Sequence, residues 1–235
     1  MIPTFSLSAK RGPWSNVTFL LACWLLVAGL ASCNGPTKPA ATTQQAIGTQ
    51  WTALFDGKTL KGWETPDWGA SGKVHVKDGV IHMERGDTGT GITYTGQVPR
   101  EEYEIELSAM RVEDNDFFCG LTFPVGPDQM SLIMGGWSGS VVGLSSIDSY
   151  DASENETTQT IDFDLKTWYH VRLRVTKAKI QVWLDAKRIV AVDREGKKLS
   201  IRFEVDKSVP LGICTWRTHG AVKDIRIRRL DFAEE

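Results

Sequence analysis

The first residues in this sequence that could do chemistry are two histidines on either side of an Asp-Gly pair, in VHVKDGVIHM. A two-residue Asp-Gly turn would join two strands and place His75 opposite His82, with Cβ atoms about 4.5–5.5 Å apart. Two imidazoles, with Glu84 on the same face, could hold a divalent metal. A polar ladder that faces solvent is the alternative interpretation of the same pattern.

A second group lies in the middle of the chain, in and just before GGWSGSVVGLSSIDSYDASENET. Aromatic rings stack on the C–H bonds of sugars, so we expect Trp137 and Tyr150 to bind substrate. Carboxylates bind sugar hydroxyls and transfer protons, so Asp116, Asp148 and Glu154 are the candidate catalytic residues. A loop built from turn-forming Asp, Asn and Ser is the alternative.

One predicted hairpin carries a polar face of its own, and its role depends on which way the sheet curves. Its members are His170, Arg172, Arg174, Gln181 and Trp183. They would line a site if this sheet is the concave one, and they would form a solvated surface if it is convex. The sequence leaves both open.

These side chains must be positioned by strands, because alternation of apolar and polar residues dominates from residue 51 onward. Tyr103, Ile105 and Leu107 alternate with charges, while DFFCGLTFPV is apolar throughout, as expected for a central strand. No segment shows a sustained helical period with caps. The pattern predicts an all-β fold, a two-sheet sandwich or jelly roll.

The beginning of the chain predicts export. Lys10 and Arg11 precede an apolar run, VTFLLACWLLVAGL, which ends at Leu-Ala-Ser-Cys33. This pattern is that of a signal peptide, and its end resembles a bacterial lipobox, in which Cys33 would be lipidated. We therefore predict a lipoprotein signal peptide over residues 1–33, a flexible linker over 34–50 and one domain over 51–232. The predicted location is the bacterial cell envelope, with membrane contact through the lipid anchor only.

Composition excludes one class of partner. The formal net charge is −2, with acidic and basic residues interspersed. Nucleic-acid binding requires a basic face, so no nucleic-acid partner is expected. Two cysteines remain in the folded region, Cys119 and Cys214, and the sequence allows either a disulfide or two buried thiols.

The order of five segments resembles the 3-keto-disaccharide hydrolase domain family, over roughly residues 51–230. The segments are LFDGKTLKGW, the Asp-Gly hairpin, EYEIELSAMR, WYHVRLRV with IQVWLDAKRIV, and LGI with VKDIRIRRL. The resemblance implies a concanavalin A-like jelly roll whose concave face holds a sugar. It also implies cleavage of 3-keto-glycosides: a base removes the C2 proton, the aglycone leaves from C1, and water then adds. A divalent metal at the enolate oxygen and a partner oxidoreductase that supplies 3-keto sugars are further implications.

The resemblance also locates a third group of candidates and several departures. Members commonly have Gln and His where this chain has Cys214 and Trp216, and Arg where it has Pro124. From their position near the Gln-His site, Trp216 and Arg217 are predicted to bind substrate and His219 to be catalytic. An end-of-strand turn is the alternative. Because of these departures, a lectin-like carbohydrate-binding module without catalysis is the competing function.

Overall fold

The computed structural model describes residues 46–231. The predicted signal peptide, Cys33 and residues 34–45 of the predicted linker lie outside these residues. Within residues 46–231, no helix reaches the length and apolar character needed to cross a membrane.

The described region consists of strands joined by turns, with two short helical segments. The strands are β1 (Thr52–Ala53), β2 (Trp63–Glu64), β3 (Val74–Lys77), β4 (Val80–Met83), β5 (Gly89–Tyr94), β6 (Tyr103–Glu113), β7 (Cys119–Val125), β8 (Asp128–Gly135), β9 (Val141–Ser145), β10 (Gln159–Thr160), β11 (Trp168–Val175), β12 (Lys179–Leu184), β13 (Lys187–Asp193), β14 (Gly212–Trp216) and β15 (His219–Arg229). A four-residue helical turn (Gly136–Gly139) joins β8 to β9, and a 3-10 helix (Phe203–Ser208) precedes β14.

Two antiparallel sheets are formed. The eight-stranded sheet runs β13-β12-β11-β6-β15-β4-β3, with β1 also paired to β15. The seven-stranded sheet runs β10-β9-β8-β7-β14-β5-β2. The predicted central strand, β7, is the middle strand of its sheet and is buried along its whole length. The all-β prediction is confirmed.

The core lies between the sheets and follows strand alternation. Ile105 and Leu173 of the eight-stranded sheet and Leu121 and Leu132 of the other are at most 1% exposed. Because successive side chains point to opposite faces of a strand, each sheet has a second face that turns away from this core. These two outer faces differ, and the difference positions the candidate site.

Candidate active site

The outer face of the seven-stranded sheet is lined by unusually small side chains. On β7, Leu121 and Phe123 pack into the core, so Gly120 and Thr122 face outward. Cross-strand register extends this row of small residues to the neighbouring strands. The small outward residues are Gly91, Gly120, Thr122, Ser131, Gly143, Ser145, Gly212 and Cys214, and Ile133, opposite Gly120, is a large side chain on the same face. Such a face leaves a recess above the sheet.

Two chain segments pack into this recess from opposite sides. A Cβ atom on Gly143 would lie 3.0 Å from the carbonyl oxygen of Ala152, in the loop of residues 146–158. A Cβ atom on Gly212 would lie 2.6 Å from the carbonyl oxygen of Ser208, at the end of the 3-10 helix. Glycine at both positions therefore lets the loop and the helix approach the sheet closely.

Asn155 organises the loop. Its side-chain amide nitrogen donates to the carbonyl oxygens of Leu144 (2.7 Å) and Asp151 (2.8 Å). Its side-chain oxygen accepts from the backbone N–H of Thr157 at 2.9 Å. These bonds fix the loop against β9 and bring the Asp151 carboxylate to Arg202, which binds it in an ion pair.

A cavity of about 170 Å³ remains between the 3-10 helix, the turn that joins β8 to β9, and the sheet. We call it the Asp116 cavity. It is lined by Asp116, Phe117, Ser131, Ile133, Trp137, Ser145, Arg202, Glu204, Val205 and Trp216. Pockets for drug-sized ligands occupy about 300–1,000 Å³, so this cavity fits a small ligand such as a single sugar ring.

Asp116 is held in place by its neighbours on both sides. Its backbone N–H donates to Thr218 Oγ1 at 2.9 Å, and its Oδ1 accepts from the Phe117 N–H at 2.7 Å. Burial raises the pKa of the Asp116 carboxyl, and the Phe117 hydrogen bond and the charges of Arg111 and Arg217 oppose that rise. A carboxylate with a raised pKa is a stronger base than an exposed aspartate, as proton abstraction requires.

The other carboxylate of the lining, Glu204, is bound by Arg202. Arg202 Nε donates to Glu204 Oε2 at 3.0 Å and Nη2 donates to Oε1 at 2.7 Å. Arg202 also pairs with Asp151, so one guanidinium joins the 3-10 helix to the loop. The hydrogen bonds that Arg202 donates to Glu204, and the charge of that carboxylate, raise the pKa of Arg202. Glu204 thus has a structural partner, whereas Asp116, also in the lining, forms no ion pair with an arginine of residues 46–231.

Hydroxyl groups form the floor of the cavity. Ser131 lies opposite Thr122 on one side and opposite Ser145 on the other. The Thr122 and Ser131 hydroxyl oxygens are 2.8 Å apart. These hydroxyls can donate to and accept from a sugar. The sequence-based prediction missed them, although hydroxyl residues alternating with apolar ones in β7 to β9 were the available signal.

Two tryptophans provide the aromatic surface. Trp137 is 40% exposed and has φ +49°, a left-handed conformation that is rare for a bulky residue. The guanidinium carbon of Arg202 lies 5.9 Å from the Trp137 ring centroid. Arg217 lies at the same distance from the Trp216 ring, and its Nε donates to the carbonyl oxygen of Asp87 at 2.9 Å.

Of the sequence-predicted residues, the cavity brings together Asp116, Trp137 and Trp216, with Arg217 beside Trp216. The three candidates of the loop lie outside its lining. Asp148 accepts a hydrogen bond from the Lys198 N–H at 2.8 Å, Tyr150 is 59% exposed, and Glu154 is exposed. The loop contributes through Asp151 and Asn155 instead.

The histidine pair has the predicted register but lies on the other sheet. His75 pairs with His82 across β3 and β4, and His75 Nδ1 is 3.4 Å from Glu84 Oε1. His219 joins them, with its Nε2 3.3 Å from His82 Nδ1. Burial, followed by the neighbouring His219, lowers the pKa of His82; burial also lowers the pKa of His219. Because His219 lies on β15 of the eight-stranded sheet with these two histidines, it does not line the Asp116 cavity.

The metal assigned to His75 and His82 remains a prediction. Their rings are nearly parallel, with a 12° interplanar angle and centroids 5.1 Å apart, so their nitrogen lone pairs do not converge on one point. Among residues 46–231, no group of three or more His, Cys, Asp or Glu side chains is arranged to hold a metal ion.

The polar hairpin face belongs to the outer surface of the eight-stranded sheet. Glu104 is fully buried there between Arg174, at 2.8 Å, and Arg228, at 2.7 Å. Arg172 stacks on Trp183, with its guanidinium carbon 4.0 Å from the ring centroid. These side chains bind one another and do not line the Asp116 cavity.

The two cysteines of the domain are free and buried. Cys119 packs in the main core between the sheets, whereas Cys214 packs with Phe117 and Ile133 on the outer side of the seven-stranded sheet. Burial raises the pKa of Cys214 to about 12 and that of Cys119 further. Of the two alternatives for this pair, the structure has the buried thiols.

Several solved structures share this fold. A provisionally assigned glycosyl hydrolase of Parabacteroides distasonis is 15% identical over 77% of this chain and 94% of its own, with a TM-score of 0.51. The Crh5 transglycosylase in complex with NAG is 13% identical, covering 80% and 87% of the two chains, with a TM-score of 0.55. The β-glucanase of Bacillus licheniformis is 10% identical, covering 79% and 100%, with a TM-score of 0.53. The predicted concanavalin A-like jelly roll is confirmed.

None of the curated proteins compared with this sequence matches it. The 3-keto-alpha-glucoside-1,2-lyase-like domain, in contrast, matches residues 50–228, which is most of the chain. The resemblance inferred from the five sequence segments is thereby confirmed, and the chain belongs to the 3-keto-alpha-glucoside-1,2-lyase-like domain family.

Proposed function

We propose that this protein is a carbohydrate-active enzyme that cleaves 3-keto-glycosides in the Asp116 cavity. The observation that carries the proposal is the position of Asp116, a carboxylate of raised pKa in a small cavity that Trp137 and Trp216 also line. Family membership supplies the substrate class. The size of the cavity supports binding of a single sugar ring.

The reaction assigns one step to Asp116. A ketone at C3 acidifies the C2 proton, so the Asp116 carboxylate accepts that proton and an enolate forms at the C3 oxygen. The electron pair then forms the C1–C2 double bond and expels the aglycone oxygen from C1, and that oxygen takes up a proton from water or from the protonated Asp116. Addition of water across the resulting C1–C2 double bond gives net hydrolysis.

Other residues of the cavity fit the remaining tasks. The Ser131 and Ser145 hydroxyls and the N–H groups of Arg202 are donors that can stabilise the enolate oxygen. Trp137 and Trp216 offer ring faces to the sugar. A divalent metal held by His75 and His82 stays a prediction without a step in this reaction, because the two side chains lie on the other sheet and their ring planes are nearly parallel.

A non-catalytic carbohydrate-binding module is the second candidate. Pro124, Cys214 and Trp216 stand where relatives commonly have Arg, Gln and His. Cys214 is fully buried against Phe117 and Ile133 and does not line the cavity. It therefore does not replace a polar catalytic side chain. A sugar could still bind between the tryptophans without being cleaved.

Aglycone release from a nitrophenyl 3-keto-glucoside separates the two. We expect the wild-type protein to release nitrophenol and Asp116→Asn to lose about 10²- to 10⁴-fold in rate, because it removes the base. Asp193→Asn, at an exposed ion pair with Lys179, is the control and should retain activity. If calorimetry detects sugar binding and no aglycone is released, the protein is a carbohydrate-binding module and the enzyme proposal is wrong.

We further propose that the protein is exported and lipid-anchored in the cell envelope through Cys33, with a separate oxidoreductase supplying the 3-keto sugar. Replacing Cys33 with Ser should release the protein from the membrane fraction of cells. Retention of this variant in the membrane fraction would contradict the anchor.

A further inference from the structure

The turn that carries Trp137 has an unfavourable backbone. Trp137 has φ +49° and ψ +61°, and Ser138 has φ +70° and ψ +26°. Gly135 and Gly139, at its two ends, are also left-handed. Non-glycine residues hold such conformations only where surrounding contacts enforce them. Contacts with neighbouring residues must therefore hold this turn in its conformation.

Arg111 of β6 makes such contacts with the turn. Its side chain is buried, and its Nη2 donates to the Gly139 carbonyl oxygen at 2.5 Å and approaches the Gly135 carbonyl oxygen at 3.4 Å. A Cβ atom on Gly135 would lie 2.2 Å from Arg111 Nη2. One guanidinium thus contacts the carbonyls at both ends of the turn, and the glycine at residue 135 makes room for it.

A charge in this position is costly to bury. The guanidinium carbon lies over the rings of Phe118, at 5.2 Å, and Phe163, at 5.8 Å. Its Nε has no hydrogen-bond partner within the described structure, and no carboxylate of residues 46–231 forms an ion pair with it. Burial lowers the pKa of Arg111, and the charge of Asp116 opposes that fall only in part. Because a buried cation without a directly bound carboxylate is costly to a fold, stability alone does not account for an arginine here.

The charge also acts on Asp116. The charge of Arg111 favours the ionised Asp116 carboxylate, as the charge of Arg217 does. The Arg202 and Glu204 side chains, which face the same cavity, bind each other. Arg111 therefore affects both the turn that carries Trp137 and the Asp116 carboxylate of the cavity.

We propose that Arg111 is a positioning residue for the Asp116 cavity: by binding the carbonyls of Gly135 and Gly139 it holds Trp137 in place as a wall of the site. This inference rests on the proposed function for its biological meaning, but its geometry can be tested without any turnover. Arg111 touches neither substrate nor reacting atoms in this account.

Fluorine NMR of protein labelled with 5-fluorotryptophan tests the proposal. The Trp137 resonance is assigned by its loss in Trp137→Phe. Trp63, buried and bonded through its Nε1 to the Leu54 carbonyl oxygen at 2.7 Å, reports on the intact core. In Arg111→Met we expect the Trp137 resonance to move and broaden while that of Trp63 stays unchanged. Arg226→Met, on the same eight-stranded sheet as Arg111 but paired with Glu106 on its outer face, should leave Trp137 unaffected.

Arg111→Lys provides a second variant that keeps the charge but lacks the planar fork. We expect an intermediate shift of the Trp137 resonance, and a KM that rises by more than kcat falls. An unchanged Trp137 resonance in Arg111→Met would overturn the proposal. Loss of the Trp63 resonance in both variants would also overturn it, because Arg111 would then serve the fold and not the turn.

The outcomes for Arg111 and for the enzyme are separable. If wild-type protein releases no aglycone, the proposed function fails, yet the Trp137 resonance still reports whether Arg111 positions the turn. If wild-type protein releases the aglycone and Arg111→Met leaves both the Trp137 resonance and KM unchanged, Arg111 has no positioning role. The proposed enzymatic function is then unaffected.

Discussion

The outer faces of the two sheets obey the same strand alternation and yet do opposite things. On the eight-stranded sheet, outward side chains are long and charged, and they bind one another: Glu104 with Arg174 and Arg228, Glu106 with Arg226. On the seven-stranded sheet they are glycines and hydroxyl residues, and the chain's own loop and 3-10 helix pack over them. The first face is filled by its side chains, and the second leaves the Asp116 cavity.

The comparison shows how a site arises on a sandwich. A face of paired long side chains satisfies its own charges and has no room for a ligand. A face of small residues exposes backbone and hydroxyls, and carboxylates brought in by turns, such as Asp116, then face a space of limited size. Substitutions on the first face should therefore change stability, and those around the second should change binding and rate.

The largest effect on stability is expected from Glu104→Gln. Removing a fully buried carboxylate between two arginines leaves their charges without their partner, so we expect a loss of about 3 kcal/mol in unfolding free energy. Urea titration measures it, and binding of sugar should be unchanged. Asp193→Asn, at an exposed pair, should change stability by less than about 1 kcal/mol. A Glu104→Gln loss no larger than that of Asp193→Asn would contradict the buried ion network.

Trp137→Ala should produce the complementary result on the other face. Truncating an aromatic contact residue costs about 2 kcal/mol of binding, roughly thirtyfold in affinity. Calorimetry with a 3-keto-glucoside measures this loss. Trp183→Ala, which removes an aromatic ring stacked on Arg172, is the matched control on the eight-stranded sheet and should bind normally. Equal losses of sugar affinity in Trp137→Ala and Trp183→Ala would contradict the proposal that sugar binds on the seven-stranded sheet only.

A smaller effect concerns the stability of Asp116→Asn as a function of pH. The folded-state pKa of Asp116 is raised, so the folded protein binds this proton more tightly than the unfolded chain does. The destabilisation is fully present above the folded pKa and disappears below the ordinary value of 3.8. We expect Asp116→Asn to be slightly more stable than wild type at pH 7, with the gain vanishing in acid. Urea midpoints at pH 7 and pH 3.5 provide the comparison; a gain that persists at the lower pH would contradict the burial of this charge.

The smallest effect is expected at the histidine cluster. The folded-state pKa values of His82 and His219 are lowered, with Lys77 and Glu84 as the other charges near His82. Their contribution to stability is therefore present above pH 6.5 and is lost as the pH falls through 6.5 toward the lowered values. His219→Gln should flatten the fall in the urea midpoint between pH 7.5 and 5.5. An unaltered slope would show that these residues titrate normally.

The sequence predicted most of the fold because strand alternation and the Asp-Gly turn are local signals. The His75–His82 register followed from the turn alone. The site was harder, since it depends on contacts between distant segments: Gly143 with Ala152, Gly212 with Ser208, and Asp116 with Thr218. Asp116, Trp137 and Trp216 were named from residue type, and the structure places them on one cavity. Ser131, Ser145, Arg202 and Glu204 were missed, because only the cross-strand register and the path of residues 200–208 bring them there.

Removal of the C2 proton of a bound 3-keto sugar by Asp116 can be measured by isotopic labelling at that carbon. A 3-keto-glucoside deuterated at C2 is compared with the unlabelled sugar, using wild-type protein and Asp116→Asn. We predict slower aglycone release from the deuterated sugar with wild-type protein, and almost no release of either with the variant. Full-rate release by Asp116→Asn would contradict the assignment of Asp116 as the base.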